Sequence, residues 1–344
     1  MKNRINVAVL GSTGYVGKEL VRILLQHEDI NINFLGSDSN ADQYLTNIEK
    51  TKEYLDLPIL KENKLFDPSL SDYVFLALPH AVSNHYVKNF YGKIKIIDLS
   101  ADFRLDDINS YIKNYGDGHT CSKYLNNFVY GLPEINRSKI LKSNNIAVPG
   151  CYPTSILLPL IPLIKNNLIN TDNIIIDSKS GYSGAGKNFD SDNIKSKYDY
   201  NFYNYNTNSH RHISEIYQEL KKFNSNNSNL SFSFNPHILP NFRGMMSTIY
   251  CDLNFQIKKN DIVDVLKGFD QNNYFIKYVD EKERLDFFSV QNTNYCKIKI
   301  FNHHSKNKII IVSNIDNLIK GASGQAVQCL NLMQNYDETK ALIL

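Results

Sequence analysis

The stretch INVAVLGSTGYVGKELVRILLQH, residues 5–27, decides the fold of the first half of this chain. It begins with an apolar run typical of a buried strand, and three glycines follow at three-residue spacing. Apolar residues at helical spacing come next, and a second apolar run starts at Ile30. This order of strand, glycine turn, helix and strand is the setting in which a glycine motif binds a dinucleotide. The alternative is a structural turn without a ligand.

Glycine suits such a turn because a Cβ would keep the backbone away from a pyrophosphate at the helix N-terminus. We therefore predict that the turn holds a nicotinamide dinucleotide through Gly11, Ser12, Thr13, Gly14, Tyr15, Val16 and Gly17.

The second strand ends in Ser37-Asp38-Ser39, where a dinucleotide site holds the adenosine ribose. Asp38 suits the ribose hydroxyls, whereas Ser37 and Ser39 suit hydrogen bonds with a phosphate. No arginine stands at this point, so these residues leave the choice between NAD and NADP open.

Two further apolar runs end at what would be the carboxyl edge of a parallel sheet, where ligands bind. The run DYVFLALPH, residues 72–80, ends in Leu78, Pro79 and His80. We predict these near the nicotinamide, the alternative for His80 being a surface loop. In the run KIKIIDLSADFR, residues 93–104, the strand ends in Asp98-Leu99-Ser100. Arg104 follows it and suits either a helix surface or an anion clamp.

Composition and charge argue against several classes of protein. The 344 residues suggest about two domains. The net charge of +3 has no block of like charge, so we expect no nucleic-acid partner. The N-terminus enters an apolar strand directly, so we expect no signal peptide, and the apolar run SILLPLIPLI, residues 155–164, is too short for a bilayer. Five cysteines without a C-x-x-C pair favour a reducing compartment. We expect a cytoplasmic protein without a membrane partner.

The stretch AVPGCYPTSILL, residues 147–158, places Cys151 between a Pro-Gly turn and an apolar run. Pro153 suits the first turn of a helix, because an N–H group at that position has no acceptor within the helix and its absence costs no hydrogen bond. We therefore predict Cys151 at the mouth of a helix, where exposed amide N–H groups favour a thiolate. Cys151 is a candidate nucleophile, and the alternative is a small buried thiol.

The segment NIIIDSKSGYSGAGK, residues 173–187, indicates a strand that leads into a Gly/Ser loop ending in Lys187. The backbone N–H groups of such a loop, together with the lysine, suit an anionic group. The alternative is a flexible connector.

The segment NSHRHISEIYQEL, residues 208–220, brings His210 and His212 to the start of a helix. A His-x-His pair suits half of a metal site, but no third ligand is evident, so we predict no metal. Acid/base work beside a thiol is the other functional option, and a capping or surface histidine is the structural one.

Later strands follow one another with few helices between them, which favours an antiparallel sheet for the second half. Arg243 precedes one of these strands. The chain then closes with DNLIKGASGQAVQCLNLM, residues 316–333, whose apolar residues form one face of a helix. We expect this helix to return to the first domain.

Several of these stretches together resemble the N-acetyl-γ-glutamyl-phosphate reductase family. They occur in the family's order along nearly the whole chain: GSTGYVGKEL, FLALPHAVS, IDLSADFRL, YGLPEINR, PGCYPTS, SGYSGAGK, HRHISEI, PHILPNFRGM and DNLIKGASGQAVQ. The most specific are PGCYPT, HRH and DNLIKGA.

The resemblance implies an α/β fold with a Rossmann-type dinucleotide-binding domain over residues 1–150, completed by the C-terminal helix of residues 316–344. An α+β catalytic and oligomerisation domain of the semialdehyde dehydrogenase and glyceraldehyde-3-phosphate dehydrogenase type then covers residues 151–315. It also implies an enzyme of arginine biosynthesis that reduces an acyl phosphate to an aldehyde with NADP(H), and a homo-oligomer, either dimer or tetramer.

The resemblance also implies roles for residues. Cys151 matches the nucleophile, and His210 matches the acid/base, with His212 as the second candidate. The resemblance also implies that Ser183, Gly184 and Asn317 contact the cofactor, in addition to the residues of the glycine turn. The small-molecule substrate, N-acetyl-glutamyl phosphate, is assigned to Arg104, Ser180, Gly181, Lys187, Arg211, Glu215 and Arg243.

Two positions depart from the family pattern. Ser37-Asp38-Ser39 stands where the family often has an arginine-containing turn, which weakens the expectation of a preference for NADP. Ser155 stands where we expect alanine, and we predict no effect of it on the chemistry.

Three other functions fit the same scaffold: reduction of a carrier-bound aminoadipate phosphate, reduction of aspartyl phosphate, and non-catalytic nucleotide sensing. The motif PGCYPT argues against the aspartyl enzyme, and the intact thiol and histidine motifs argue against a sensor. The carrier-bound substrate needs a larger, differently charged entrance, which the residues alone do not reveal.

Overall fold

The computed structural model describes residues 4–50, 54–116, 118–186, 201–224 and 229–343. The chain forms two compact units. The first contains Met1–Pro149 together with Ala322–Leu344, and the second contains Gly150–Gly321.

The first unit is built on a parallel sheet with the strand order β2-β1-β3-β4-β6-β5. A single parallel bridge between Gly36 and Lys61 extends it beyond β2. The elements are β1 (Ile5–Leu10), α1 (Tyr15–Leu25), β2 (Ile30–Gly36), α2 (Leu45–Glu49), β3 (Tyr73–Leu76), α3 (Ser83–Phe90), β4 (Lys95–Asp98), α4 (Ile108–Tyr115), β5 (Val129–Tyr130), α5 (Pro133–Ile140) and β6 (Asn145–Ala147).

The chain order reverses around β1, which pairs with β2 on one side and β3 on the other. Ligands of open parallel sheets bind at such a switch point, outside the carboxyl ends of the strands. The predicted strand, glycine turn, helix and strand are confirmed, with residues 7–10 fully buried in β1, between β2 and β3. This is a Rossmann-type arrangement, as predicted.

The second unit is built on a seven-stranded sheet with the order β11-β12-β13-β10-β7-β9-β8. Its elements are α6 (Cys151–Lys165), β7 (Ile174–Gly181), β8 (Tyr203–Asn204), α7 (His212–Phe223), β9 (Phe232–Leu239), β10 (Met245–Asp252), α8 (Lys259–Asn272), β11 (Ile276–Tyr278), β12 (Cys296–Asn302) and β13 (Lys308–Ile315).

The prediction of an antiparallel second sheet is wrong for two of its pairings. β7 and β9 run parallel, and so do β11 and β12, whereas the other pairs are antiparallel. Parallel neighbours need a crossover connection, and α7 lies in the connection between β7 and β9. The sheet is therefore mixed.

Helix α6 is the apolar centre of the second unit. Every residue from Tyr152 to Ile164 is buried, and the helix packs against α7, α8 and β10. A helix that is apolar on all sides is typical of a protein core or a membrane span. Among the described residues, no helix has both the length and the apolar character that crossing a membrane requires.

The last helix is α9 (Gly324–Met333), and all ten of its residues are buried. It packs against α1 and α5 of the first unit. Beside it, the amide of Asn331 lies 3.0 Å from His27 Nε2, and Gln334 donates to the hydroxyl of Tyr73 at 2.9 Å. The C-terminal helix is thus an integral part of the first unit.

Candidate active site

Cys151 is the first residue of α6, and Gly150 is its N-cap. The first N–H groups of a helix have no acceptor within the helix, so they point toward whatever lies at its mouth. The backbone N–H and the hydroxyl of Thr154 both donate to the Gly150 carbonyl, which closes the first turn. Cys151 is partly exposed in this position and forms no disulfide. The predicted helix mouth is confirmed.

Glu215 supports the turn before this helix. Its carboxylate accepts the Gly150 N–H at 2.9 Å, and the residue is only 1% exposed. The bond joins the first turn of α7 to the first turn of α6. The role of Glu215 in contacting substrate stays a prediction, since the observed contact is with the protein backbone.

Gly321 lies against Cys151 from the π-helical turn Ile319–Ser323. A Cβ placed on Gly321 would lie 2.7 Å from the Cys151 Cβ, closer than real side chains approach. The Gly321 N–H donates to the carbonyl of Asp316 at 3.0 Å, which fixes this close approach. The position of the Cys151 thiol therefore requires a residue without a side chain at position 321.

His210 is buried just before α7, and its two ring nitrogens have different neighbours. Nδ1 accepts the backbone N–H of His212 at 3.1 Å, and Nε2 lies 3.4 Å from the hydroxyl of Tyr205. Burial, and then the charge of Arg211, lower the pKa of His210 to about 4. His210 is accordingly neutral near pH 7.

Tyr205 and Tyr152 continue this line of hydrogen bonds. The Tyr205 hydroxyl donates to that of Tyr152 at 3.2 Å, and Tyr152 donates to the carbonyl of His237 at 3.2 Å. Burial raises the pKa of Tyr205 to about 12, so its hydroxyl keeps its proton. Beyond burial, the charge of a Cys151 thiolate contributes to raising the pKa of both Tyr152 and Tyr205, so this line of hydroxyls lies near the thiol.

The Gly/Ser loop after β7 is joined to the segment that precedes the π-helical turn. Asn317 accepts the Gly244 N–H at 2.8 Å and donates to the hydroxyl of Ser183 at 2.9 Å. Ser180 donates to the Gly181 carbonyl at 2.9 Å. A Cβ on Gly184 would lie 2.8 Å from Ser180 Oγ. The structure thus brings together the predicted cofactor residues Ser183, Gly184 and Asn317 with the predicted substrate residues Ser180 and Gly181.

The predicted anion-binding cations lie in different surroundings. Arg243 donates to Asn292 at 2.6 Å and pairs with the buried carboxylate of Asp316 at 3.2 Å. Arg211 is exposed beside His210 at the start of α7. Lys187 lies outside the described residues.

Arg104 belongs to the first unit and is 9% exposed. Its guanidinium donates to the carbonyls of Val148 at 2.7 Å and Leu99 at 2.9 Å. These bonds tie together the segments that follow β4 and β6, so Arg104 lies inside the unit and not on a helix surface.

The glycine turn of the first unit has the geometry that a pyrophosphate needs. Gly11 has a φ of +81°, and a Cβ there would lie 2.3 Å from the Ala77 carbonyl oxygen. A Cβ on Gly17 would lie 2.1 Å from the Gly11 oxygen. Gly14 caps α1 without a side chain, and the first turn, which includes Tyr15 and Val16, has no acidic residue. This helix start fits the phosphates of a dinucleotide.

Polar side chains connect the glycine turn to the end of β2 by hydrogen bonds. Ser12 donates to the Gly36 carbonyl at 3.0 Å, and the hydroxyls of Thr13 and Ser37 lie 2.7 Å apart. Ser39 is exposed and accepts from Asn40 at 2.8 Å. These contacts hold the end of β2 beside the glycine turn.

Asp38 forms hydrogen bonds with Asn63, a residue that the sequence analysis did not identify. Both of its carboxylate oxygens accept from Asn63, one from the backbone N–H and one from the side chain, each at 2.8 Å. The side-chain oxygen of Asn63 in turn accepts the Gly11 N–H at 3.2 Å. Asn63 therefore fixes the carboxylate relative to the glycine turn.

The carboxyl ends of β3 and β4 meet through a buried acidic pair. Asp102 accepts from the backbone of Ala81, from Asn84 and from the hydroxyl of Tyr111. Burial, and then the nearby charge of Asp102, raise the pKa of Asp98 to about 7. The segment after β3, predicted to face the nicotinamide, is thereby held in place from β4.

Within that segment, Leu78 packs against the glycine turn, with its Cδ2 3.2 Å from the position of a Cβ on Gly11. Pro79 and His80 are exposed, and the His80 ring lies 5.4 Å from that of Tyr115. Over the described part of the chain, no cluster of three or more His, Cys, Asp or Glu side chains is arranged to hold a metal.

Both units match known family models. Residues 6–143 match the semialdehyde dehydrogenase NAD-binding domain, and residues 151–317 match the semialdehyde dehydrogenase dimerisation domain.

Curated relatives match almost the whole chain. The N-acetyl-γ-glutamyl-phosphate reductase of Ehrlichia canis is 42% identical over 99% of this chain and 98% of its own. That of Caldicellulosiruptor bescii is 43% identical, with 99% and 98% coverage. A probable chloroplastic N-acetyl-γ-glutamyl-phosphate reductase of Arabidopsis thaliana is 40% identical, with 98% and 84% coverage.

Solved structures share the fold at low identity. Aspartate semialdehyde dehydrogenase II of Vibrio cholerae, complexed with ASA, superimposes with a TM-score of 0.76 at 17% identity, covering 97% of this chain and 99% of that one. Aspartate semialdehyde dehydrogenase with NADP from Candida albicans gives a TM-score of 0.66 at 16% identity, covering 96% and 99%.

Proposed function

Because this chain belongs to the N-acetyl-γ-glutamyl-phosphate reductases, within the semialdehyde dehydrogenases, we propose the reaction that this family name describes. The chain reduces N-acetyl-glutamyl 5-phosphate to N-acetyl-glutamate 5-semialdehyde with NADPH and releases phosphate, as a step of arginine biosynthesis. The observation that carries the proposal is Cys151 at the first residue of α6, where the next residue, Tyr152, packs against the ring of the buried His210 at 5.5 Å.

Cys151 is the nucleophile. Its thiolate attacks the acyl-phosphate carbonyl and forms a C–S bond, and the C–O bond to phosphate breaks. Phosphate departs, and the acyl group remains on the sulfur as a thioester. The N–H groups at the mouth of α6 favour the thiolate and stabilise the negative oxygen of the tetrahedral intermediate. Glu215 holds this mouth in place through the Gly150 N–H.

The glycine turn of the first unit holds the cofactor. The backbone from Gly11 to Gly17 binds the pyrophosphate, with the start of α1 as its anion site. When bound, the nicotinamide supplies the hydride that reduces the thioacyl carbon. Leu78, Pro79 and His80 remain candidates for its surroundings.

One histidine of the pair manages the proton. As a general acid it donates a proton to the developing thiohemiacetal oxygen. As a general base it then accepts that proton while the C–S bond breaks, which leaves the aldehyde and the thiolate. The family pattern ranks His210 first and His212 second. Arg211, exposed at the same helix start, is a candidate partner for the negative charges of the substrate.

We further propose that the chain self-associates through the second unit, in keeping with the matched dimerisation domain. A row of apolar residues crosses four neighbouring strands in register: Ile175 pairs with Tyr250, Tyr250 with Ile310, and Ile310 with Phe301. Ile175, Tyr250 and Phe301 are each about 40% exposed, an apolar strip suited to a second copy.

The compartment that we propose is the cytoplasm. None of the five cysteines forms a disulfide, and four of them are buried, which supports a reducing environment.

The test is a phosphate-dependent assay in the reverse direction. Wild-type chain receives N-acetyl-glutamate 5-semialdehyde and phosphate, and reduced cofactor is followed by absorbance with NADP and with NAD in parallel. We expect turnover that requires phosphate and that Cys151→Ser abolishes. Cys121→Ser is the matched control, because a serine there still donates to the Asn84 carbonyl that Cys121 contacts.

No turnover with either cofactor would overturn the proposed substrate. Near-normal turnover by Cys151→Ser would overturn covalent catalysis while leaving the substrate assignment standing.

A further inference from the structure

Asp316 directly follows β13, and its side chain is completely buried. One carboxylate oxygen accepts the backbone N–H of Asn292 at 2.8 Å and pairs with Nη1 of Arg243 at 3.2 Å. The other oxygen accepts the backbone N–H groups of Leu318 at 2.9 Å and Ile319 at 3.3 Å. All four of these partners are donors, which suits an ionised carboxylate, because that group can only accept.

The bonds to Leu318 and Ile319 make Asp316 the cap of the turn that follows it. A capping side chain accepts the N–H groups two and three residues ahead, and these are the groups that the Asp316 carboxylate accepts. The backbone carbonyl of Asp316 also accepts the N–H of Gly321 at 3.0 Å. Asp316 therefore holds both the start and the end of the segment 317–321.

This segment ends against the reactive cysteine. Gly321 lies in the π-helical turn, and a Cβ there would be 2.7 Å from the Cβ and 3.1 Å from the Cα of Cys151. At so close an approach, a small shift of the turn either displaces Cys151 or opens a gap beside it. Single π-helical turns are frequent at functional sites. The position of the thiol thus depends on what fixes the turn.

The same place is joined to the loop before β10. Asn317 accepts the N–H of Gly244 at 2.8 Å and donates to Ser183 at 2.9 Å. Arg243, the neighbour of Gly244, is the cation that pairs with Asp316. Its side chain is only 16% exposed, and removing one partner of a buried ion pair is costly because it leaves the other charge uncompensated. Arg243 is therefore the counterion of the buried carboxylate.

We propose that Asp316 is a positioning residue for the reaction: paired with Arg243, it holds the turn that places Gly321 against Cys151, and so keeps the thiol at the mouth of α6. The kinetic consequences of this inference rest on the proposed function. A negative charge disfavours a nearby thiolate. Removal of Asp316 would therefore favour the thiolate if Asp316 acted through its charge, and disfavour it if Asp316 acts through position.

The first experiment needs no substrate. Of the five cysteines only Cys151 is partly exposed, so its alkylation by iodoacetamide at pH 7, mapped by mass spectrometry, reports the thiolate, and reaction of the four buried cysteines reports unfolding. We expect Asp316→Ala and Gly321→Ala each to react about tenfold more slowly than wild type, because a displaced thiol loses the N–H groups that favour the thiolate. An equal or faster rate in Asp316→Ala would overturn the proposal.

Asp270→Ala is the matched control. Asp270 lies in α8, accepts the N–H of Tyr278 at 2.9 Å and pairs with Lys277 at 3.6 Å, so it has the same two kinds of partner outside the segment 316–321. It should keep the wild-type alkylation rate and turnover. If the buried cysteines react in Asp316→Ala, Asp316→Ser takes its place under the same criterion, because serine still caps the turn but does not pair with the arginine.

The second experiment uses turnover. We expect Asp316→Ala to lose about 100-fold in kcat with little change in KM, because the thiol is displaced while substrate binding is kept. Asp316→Ser should lose less than about tenfold, since serine caps a turn about as well as aspartate.

The double variant shows whether Asp316 acts through the turn. Asp316→Ala combined with Gly321→Ala should lose no more than about 100-fold, whereas independent effects would multiply to about 10,000-fold. Multiplied effects, or an unchanged kcat in either single variant, would overturn the proposal. A wild-type chain without turnover would count against the proposed function, and the alkylation rates would still decide the role of Asp316.

Discussion

At the scale of single residues, Gly321 is where the reactive thiol is most sensitive to change. Gly321→Ala would place a Cβ 2.7 Å from the Cys151 Cβ, so the cysteine or the π-helical turn must shift. Because a displacement of about 1 Å at a reacting group costs about 100-fold in rate, we expect kcat to fall by about that factor.

Gly268→Ala is the matched control, since a Cβ there has no atom within 4 Å. It lies in α8 and should stabilise the chain by about 1 kcal/mol without changing kcat. Steady-state assays and thermal unfolding of both variants check the prediction. Equal kcat in Gly321→Ala and wild type would show that the thiol tolerates the shift.

Asp38 is the residue most directly concerned with the choice of cofactor. Its carboxylate is held by Asn63 at the end of β2, where a 2′-phosphate would meet a like charge. We expect Asp38→Ser to tighten binding of NADPH relative to NADH by about tenfold, which corresponds to ~1.4 kcal/mol. Equilibrium titration of both cofactors without substrate is the measurement.

Asp264→Ser is the control for this change, because it removes one exposed charge in the second unit. It should leave the ratio of the two affinities as in wild type. An unchanged ratio in Asp38→Ser would place the 2′-phosphate elsewhere.

At the scale of elements, the end of β4 holds a proton that the unfolded chain does not. The pKa of Asp98 is raised from 3.8 to about 7, so between these values the folded state binds the additional proton. Its contribution to stability is therefore complete at low pH and is lost as the pH rises toward 7, at most about 1.4 kcal/mol per pH unit. His210, with its pKa lowered to about 4, contributes in the opposite direction between about 4 and 6.5.

Asp98→Asn isolates the Asp98 contribution, because asparagine does not titrate. We expect the unfolding free energy of the variant, minus that of wild type, to increase as the pH rises from about 4 to about 7. Urea unfolding at several pH values measures this difference. A constant difference would mean that Asp98 is ionised throughout.

Sequence reasoning predicted best where the signal is local. The glycine turn, and the helix that begins at Cys151, follow from neighbouring residues. The parallel pairing of β7 with β9 is different, because it depends on which distant strands meet. Tyr205 was missed for the same reason: its Tyr/Asn-rich surroundings carry no motif, and only the fold brings its hydroxyl between His210 and Tyr152.

At the scale of the whole molecule, the apolar row on the second sheet is the surface to test for self-association. Tyr250 lies in the middle of this row, paired with Ile175 and Ile310. We expect Tyr250→Asp to convert the oligomer into monomer, because a carboxylate is costly to bury in an apolar interface. Sedimentation velocity measures the change.

Phe255→Asp is the control. Phe255 is 90% exposed and lies outside the paired strands, so its replacement should leave the oligomer intact. An oligomer that survives Tyr250→Asp would show that the chain associates through another surface.

The discontinuity of the first unit has a consequence for biosynthesis. Residues 1–149 leave the ribosome first, yet α9, which fills part of their core, is translated only after the whole of Gly150–Gly321. At about 5–20 residues per second, the nascent N-terminal segment waits on the order of ten seconds or more with the apolar face of α1 uncovered. Chaperones that recognise exposed apolar helices therefore have a natural substrate in this intermediate, and a message truncated before Gly324 yields a first unit without the helix that packs on α1 and α5.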